Sequence, residues 1–288
     1  MEKALEAVVR ATNNTKDAIL MALKTPKGEQ TVWVVVEAED DCDVYSKFVD
    51  KNNTIVKTSV NEEGRKGYAN VESIVNDIKQ EVSTAHIIGI RDTDYSRYEE
   101  PKPNPQPNIF KTDHRDLEMM MLSSESVQTE LNVWVSGFDK ANKICVDICR
   151  YFGYLRIYNH IEQLSCTFHN NVEIKKCWNE STHSLKSDWK EECTTQFLSH
   201  ISRHKTEDDL ESFIKDKKLE DEDFFDICRG HDYLSILSKV LIHTNIYSPK
   251  TILIRMSESF SYNDFKQTQL YANIKKWQDE EKVTALAS

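Results

Sequence analysis

Four carboxylates fall at positions where they could act together. Glu37 closes the apolar run Thr31-Val32-Trp33-Val34-Val35-Val36, and Asp41 follows four residues later. Asp92 and Asp94 close a second run, His86-Ile87-Ile88-Gly89-Ile90, within Arg91-Asp92-Thr93-Asp94. If the chain stays extended there, the alternate spacing of Asp92 and Asp94 turns both side chains to one side. Carboxylates brought together in a dry site repel one another, but they are tolerable when they hold divalent cations. Mg2+ takes oxygen ligands, keeps several waters and bridges carboxylates to phosphate. One or two such ions activate water and stabilise a leaving oxygen. A plainer alternative stands beside this. Acidic residues after strands also cap helices, and Glu39–Asp43 fits a solvated cluster favoured by a helix dipole. For any one of these residues alone the cap or surface role is the stronger reading. A Glu at one strand end together with Asp-x-Asp at another is more specific.

The elements that must position these groups can be read from periodicity. Residues 1–24 have helical spacing, ended by Thr25-Pro26-Lys27-Gly28. The β-branched run before Glu37 predicts a strand buried on both faces, as in a parallel sheet. A helix is expected at Val44–Val49, a strand at Thr54–Val60, a helix at Tyr68–Val82 and a strand at His86–Ile90. This alternation implies a parallel α/β sheet, whose ligands sit at the carboxyl ends of the strands. Residues 101–108 hold four of the six prolines and predict an extended loop. A short strand at Ile109-Phe110 and a helix at Asp113–Leu122 follow. From about Gly137 the pattern is helical: Lys140–Phe152, Asp188–Arg203, Glu207–Asp216, Tyr233–Thr244 and Tyr262–Val283. A β piece fits near Cys166–Ile174. We expect a boundary near residue 136, separating an N-terminal helix and catalytic α/β domain (1–136) from a helix-rich domain (137–288).

Composition restricts the partners. The 288 residues carry a net charge of −11, which argues against a protein that simply coats nucleic acid. An acidic site can still reach phosphate through bound cations, with affinity supplied by a local basic patch or a partner. No apolar run reaches the roughly 20 residues needed to cross a bilayer, and the start lacks a signal-peptide core. A cytoplasmic protein without membrane contact is expected. Seven scattered cysteines suggest reduced thiols, not a disulfide framework. Cys145 and Cys149 could share a helix face, but free Cys more often packs as a small hydrophobe.

The segments Val34-Val35-Val36-Glu37-Ala38-Glu39-Asp40-Asp41-Cys42-Asp43-Val44-Tyr45 and Gly89-Ile90-Arg91-Asp92-Thr93-Asp94-Tyr95 resemble the glutamate and Asp-x-Asp strands of Toprim domains. The glutamate motif is similar to that of the overcoming-lysogenization-defect nucleases, with Ala38 where glycine usually follows. Thr112-Asp113-His114-Arg115-Asp116-Leu117-Glu118, Phe152-Gly153-Tyr154-Leu155-Arg156-Ile157-Tyr158-Asn159 and Cys228-Arg229-Gly230-His231-Asp232 resemble, more narrowly, the DUF4435 family. Members include the effector nuclease of PARIS-type anti-phage defence systems, a toxin held by an AAA-type ATPase that cleaves tRNA once released. The resemblance spans nearly the whole chain. It implies a Toprim-like parallel sheet flanked by helices and followed by a helix-rich C-terminal domain. It also implies a Mg2+- or Mn2+-dependent endonuclease, a hydrolase of phosphodiester bonds active as a homodimer. Glu37 would be the catalytic glutamate or a metal ligand, Asp92 and Asp94 metal ligands, and Asp41 a ligand to a second ion. Asp116 and Glu118 would be additional ligands, or an exposed helix face. Lys66 would contact phosphate or the transition state, or be a solvated turn lysine.

Other motifs carry less. Asp232 fits an N-terminal cap for the helix it precedes. His200 and His204 stand four apart but lack the Glu of a zinc-protease motif. There is no phosphate-binding G-x4-G-K-[ST] loop, so any ATP chemistry must come from a partner. Lysine pairs such as Lys175-Lys176 and Lys275-Lys276 could guide nucleic acid, or be solvated. A DNA endonuclease of the same chemistry, or a non-catalytic subunit of an ATPase complex, are the alternatives.

Overall fold

The computed structural model describes residues 14–60, 67–102, 106–168, 178–179, 181–182, 184–241 and 247–287. The chain begins with α1 (Thr15–Leu23), α2 (Pro26–Glu29), β1 (Val32–Val36), α3 (Glu39–Tyr45), β2 (Thr54–Thr58), α4 (Tyr68–Glu81), β3 (Ile87–Arg91) and β4 (Ile109–Lys111). It continues with α5 (Leu117–Leu122), α6 (Glu125–Trp134), α7 (Phe138–Ile161), β5 (Trp178–Asn179), β6 (Ser184–Leu185), α8 (Trp189–Leu198) and α9 (Glu207–Asp216). The last elements are α10 (Phe224–Ile227), α11 (Gly230–Val240), α12 (Pro249–Ser259), α13 (Tyr262–Lys266) and α14 (Gln269–Glu281). The fold is α/β. No helix of the described residues is long and apolar enough to cross a membrane.

Two compact units divide the chain. The first comprises Met1–Thr93, Asn104–Asp113 and Ser261–Ser288, and the second Asp94–Pro103 and His114–Phe260. This differs from a single boundary near residue 136, and the reason lies in the sheet. The first unit holds four parallel strands in the order β2-β1-β3-β4. On one face, Trp33, Val35 and Ile87 pack against Val71, Ile74, Val75 and Ile78 of α4 and Ile19 and Leu23 of α1. Gly89 belongs to this face, because a Cβ there would lie 2.6 Å from the Val71 side chain and 2.8 Å from that of Ile109. The other face exposes Val34, Ile88 and Ile90, which need cover of their own. It comes from Tyr45 and Phe48 and from the end of the chain, through Phe265, Ile274 and Leu286. Phe48 stacks on Phe265 at 4.7 Å, and Val49 bridges Leu286. The last residues are therefore part of the sheet domain.

Several elements depart from expectation at their ends. The helix after β1 begins at Glu39, five residues before Val44, because the acidic run is its first turn. The helix expected over Tyr262–Val283 is two helices, interrupted where Thr268 caps α14 by accepting from Tyr271 N–H. The helix expected to reach Arg203 stops at Leu198, so His200 and His204 do not share a helix face.

The second unit is built around the 24-residue α7. Its buried stripe includes Phe138, Ala141, Cys145, Ile148, Cys149 and Phe152, at steps of three and four. At Gly153 a Cβ would lie 2.2 Å from the Ile227 side chain, so glycine permits the close approach of α10. Among the described residues this unit holds the antiparallel pair β5–β6, while most of Cys166–Ile174, the segment expected to hold a β piece, lies outside the described residues.

Candidate functional site

Because all four strands are parallel, their carboxyl ends share one edge. The registers keep these ends level, with Val36 opposite Thr58 and Arg91 opposite Lys111. Glu37 follows β1 and Asp92 follows β3 at this edge. The Glu37 carboxylate accepts a hydrogen bond from the Asp92 N–H at 2.9 Å, tying the two strand ends together. Asp41 sits in the first turn of α3, where its carboxylate accepts from the Ala38 N–H at 2.9 Å. The capping alternative thus describes what Asp41 does in this structure. The third carboxylate at the edge after a strand is Asp113, which follows β4. It lies outside the helix expected over Asp113–Leu122, which begins only at Leu117. Both its oxygens accept from the first turn of α14, from Gln269 N–H at 2.6 Å and Leu270 N–H at 2.8 Å.

Tyr45, the last residue of α3, lies with these groups. It is 2% exposed, and its hydroxyl is buried without a hydrogen-bond partner. Burial pushes its pKa well above the ordinary tyrosine range, and so do the charges of Asp41, Asp92, Asp113 and Glu37. The hydroxyl is therefore sealed within the field of four carboxylates.

Asp94 does not extend this row. The strand ends at Arg91, and Asp94 has a left-handed backbone with φ 45°. The extended geometry that would align Asp92 with Asp94 is absent. Asp94 instead belongs to the second unit, where its N–H donates to the Arg115 carbonyl at 2.8 Å. Lys66 lies outside the described residues.

Asp116 and Glu118 also belong to the second unit, and neither forms an exposed helix face. Asp116 is the N-cap of α5, where it accepts from Met119 N–H at 3.0 Å and from Gly230 N–H at 2.7 Å. Burial and then the charge of Glu118 push its pKa up to about 8, against the pull of those two bonds. Glu118 is mostly covered as well, with 12% of its side chain exposed, yet the hydrogen bond from His231, at 3.0 Å, and the charge of that ring hold it below its usual range. Gly230 is required here, because a Cβ would lie 2.3 Å from that of Glu118 and 2.8 Å from an Asp116 oxygen. Two segments distant in sequence thus dock through a carboxyl pair and a glycine.

Asp232 does not cap α11. It receives a two-pronged bond from Arg156, at 2.5 and 2.8 Å. Asp226, a residue with no prior signal, binds Arg97 at 2.7 Å and His114 at 2.8 Å. Arg115 is buried and donates to the Ile227 carbonyl at 2.5 Å, with its guanidinium over the Tyr95 ring.

A cation at the sheet edge would meet an all-oxygen donor set, which suits Mg2+ or Mn2+. In the structure as it stands, no group of three or more His, Cys, Asp or Glu among the described residues is arranged to hold a metal ion. The thiols of Cys42, Cys145, Cys149, Cys166, Cys193 and Cys228 are free. Compared with protein-family models and with curated proteins, the chain matches none.

Proposed function

We propose that the chain is a metal-dependent nuclease that cleaves phosphodiester bonds, with RNA, and tRNA in particular, as the favoured substrate. The junction of Glu37 with Asp92 carries this reading. The Glu37 carboxylate is bound by the backbone N–H of Asp92, so acidic residues from two strand ends meet at the carboxyl edge of a parallel sheet, where such sheets take their ligands. Glu37 and Asp92 would contact the ion, with waters filling its remaining positions. When bound, it supplies positive charge to the scissile phosphate and lowers the pKa of a coordinated water. Glu37 is oriented by the Asp92 N–H, and Asp41 by the Ala38 N–H. The resemblance of the sequence motifs adds an AAA-type ATPase that restrains the enzyme, homodimerisation on release, a cytoplasmic setting and a role in anti-phage defence.

The net charge of −11 favours a second reading, a non-catalytic subunit that assembles with an ATPase through an acidic surface. Both are tested by incubating labelled tRNA and plasmid with the chain and Mg2+ or Mn2+, with and without an activated ATPase partner. The nuclease reading expects metal-dependent cleavage that Glu37→Ala abolishes. Cleavage of plasmid but not tRNA would make it a DNA endonuclease. Equal cleavage by wild type and Glu37→Ala would sink the site, and no cleavage under any condition would leave the assembly role.

A further inference from the structure

The chain stays tied to β4 after β3 ends at Arg91. The parallel ladder pairs Gly89 with Ile109 and Arg91 with Lys111, and beyond these pairs the Thr112 N–H donates to the Arg91 carbonyl at 3.1 Å. Ladder bonds between parallel strands are evenly spaced, so the next would run from the Thr93 N–H to the Thr112 carbonyl. Two hydroxyls take its place. The Thr93 N–H donates to Thr112 Oγ1 at 3.0 Å, and the Thr93 hydroxyl donates to the Thr112 carbonyl. Thr93 and Thr112 are 6% and 4% exposed, so water does not readily replace these bonds.

Asp92 lies between the two bonded residues. In an extended chain successive N–H groups point to opposite edges of the strand. The bonds of Arg91 and Thr93 run toward β4, so the Asp92 N–H between them runs toward β1, on the other side of β3. There it meets the Glu37 carboxylate at 2.9 Å. Its aim depends on the chain remaining extended through Thr93, and the extended geometry ends at once afterwards, since Asp94 has φ 45°. Packing alone does not call for hydroxyls at these places. Valine would fill the same volume, but it would leave a buried N–H or carbonyl without its bond.

We infer that Thr93 and Thr112 are positioning residues for the Glu37–Asp92 junction, whose paired hydroxyls hold the chain just past Asp92 so that its N–H stays aimed at the Glu37 carboxylate. The inference rests on the reading of that junction as the reactive end of the sheet, and it needs no bound ion. A purely structural pair is the rival, with bonds that stabilise the end of β4 and leave Glu37 indifferent to them. The two differ in whether the loss of one hydroxyl reaches Asp92 and Glu37 beyond the general loss of stability.

The test is amide hydrogen exchange by NMR on the full chain, for wild type, Thr93→Val, Thr112→Val, Thr112→Ser and Glu37→Ala. The rate at Asp92 is divided by that at Gly89, whose N–H donates to the Asn108 carbonyl at 2.8 Å within the same ladder, so a loss of global stability cancels. Glu37→Ala removes the acceptor and should raise the ratio most. Each valine variant should raise it about three- to tenfold, the worth of one hydrogen bond. Thr112→Ser keeps the hydroxyl and should stay near wild type. The same proteins are assayed for cleavage of labelled tRNA, where the valine variants should lower kcat with KM unchanged and Thr112→Ser should restore it. If Glu37→Ala raises the ratio but both valine variants leave it at the wild-type value, the positioning role is overturned. It is overturned too if Thr112→Ser behaves as Thr112→Val does, or if the valine variants cleave with wild-type kcat. If Glu37→Ala leaves the ratio unchanged, the junction itself is absent and the inference falls with it. If the valine ratios rise while no protein cleaves, wild type included, Thr93 and Thr112 position the junction and the nuclease reading falls. Should one valine variant fail to fold, the other decides by the same ratio.

Discussion

Gly230→Ala should be among the most damaging single-methyl changes in the second unit, and its cost can be worked from the structure. The added Cβ would lie 2.3 Å from the Glu118 Cβ and 2.8 Å from an Asp116 oxygen. The Glu118 Cβ is fixed to a helix backbone and cannot swing aside, so the two segments must separate. Overpacking of this kind costs about 1–3 kcal/mol. Separation also stretches the 2.7 Å bond from Gly230 N–H to Asp116. Losing a hydrogen bond to a charged or strongly polar group costs roughly 1.5–3 kcal/mol. Against this, alanine gains about 0.8–1 kcal/mol of helix propensity over glycine. Gly230 stands at the first position of α11, where little of that gain is realised. The net expectation is a loss of about 2–4 kcal/mol. Urea denaturation followed by circular dichroism should show an earlier midpoint with an unchanged slope. Gly137→Ala is the control: its Cβ meets nothing within 4 Å, but its φ of 76° is left-handed, so it isolates backbone strain. That strain is worth about 1–2 kcal/mol. If Gly230→Ala unfolds within about 0.5 kcal/mol of wild type, the docking of α11 on Asp116 and Glu118 is wrong.

Two further outcomes follow from the same unit. Arg156→Met breaks a two-pronged bond between side chains that are 12% and 16% exposed, leaving Asp232 without its cation. It should cost about 2–4 kcal/mol. Adding Asp232→Leu should recover much of that loss, and a double-mutant cycle in urea that shows no recovery would count against a coupled pair. The hydrogen bond and charge of Glu118 raise the pKa of His231 above its ordinary 6.5. The stability this pairing contributes is fully present below about pH 6.5. It is lost as pH rises through the elevated value. An NMR titration should therefore find His231 titrating above 6.5 in wild type and moving back down in Glu118→Gln. An unmoved titration would separate the two groups.

Much of the sheet was legible because strand burial writes itself into residue type. Val32–Val36 and Ile87–Arg91 lie side by side at the centre of a parallel sheet, so their side chains had to be apolar on both faces. Glu37 and Asp92 were legible for a related reason, as the first acidic groups where each run stops. Helix termini were less so. The acidic stretch after Glu37 is both a possible site and a good first turn, and local composition cannot separate the two. Asp94 failed because strand alternation holds only while the backbone is extended, and its positive φ leaves no mark on the residue type.

The sequence by itself determined the α/β class, the strand order in the chain and the placement of carboxylates at strand ends. These depend on local periodicity and on where apolar runs end. Only the tertiary structure decided which distant segments complete each unit. The final residues cover Val34, Ile88 and Ile90 because that sheet face would otherwise be bare, and an amphipathic helix does not name the surface it will cover. Likewise, Asp113 reaches the first turn of α14 across 156 residues of chain, and Asp116 reaches Gly230 across 114. The ionisation of Asp116 and the isolation of the Tyr45 hydroxyl follow from burial among specific neighbours. Those are properties of packing, and no single residue in the sequence carries them.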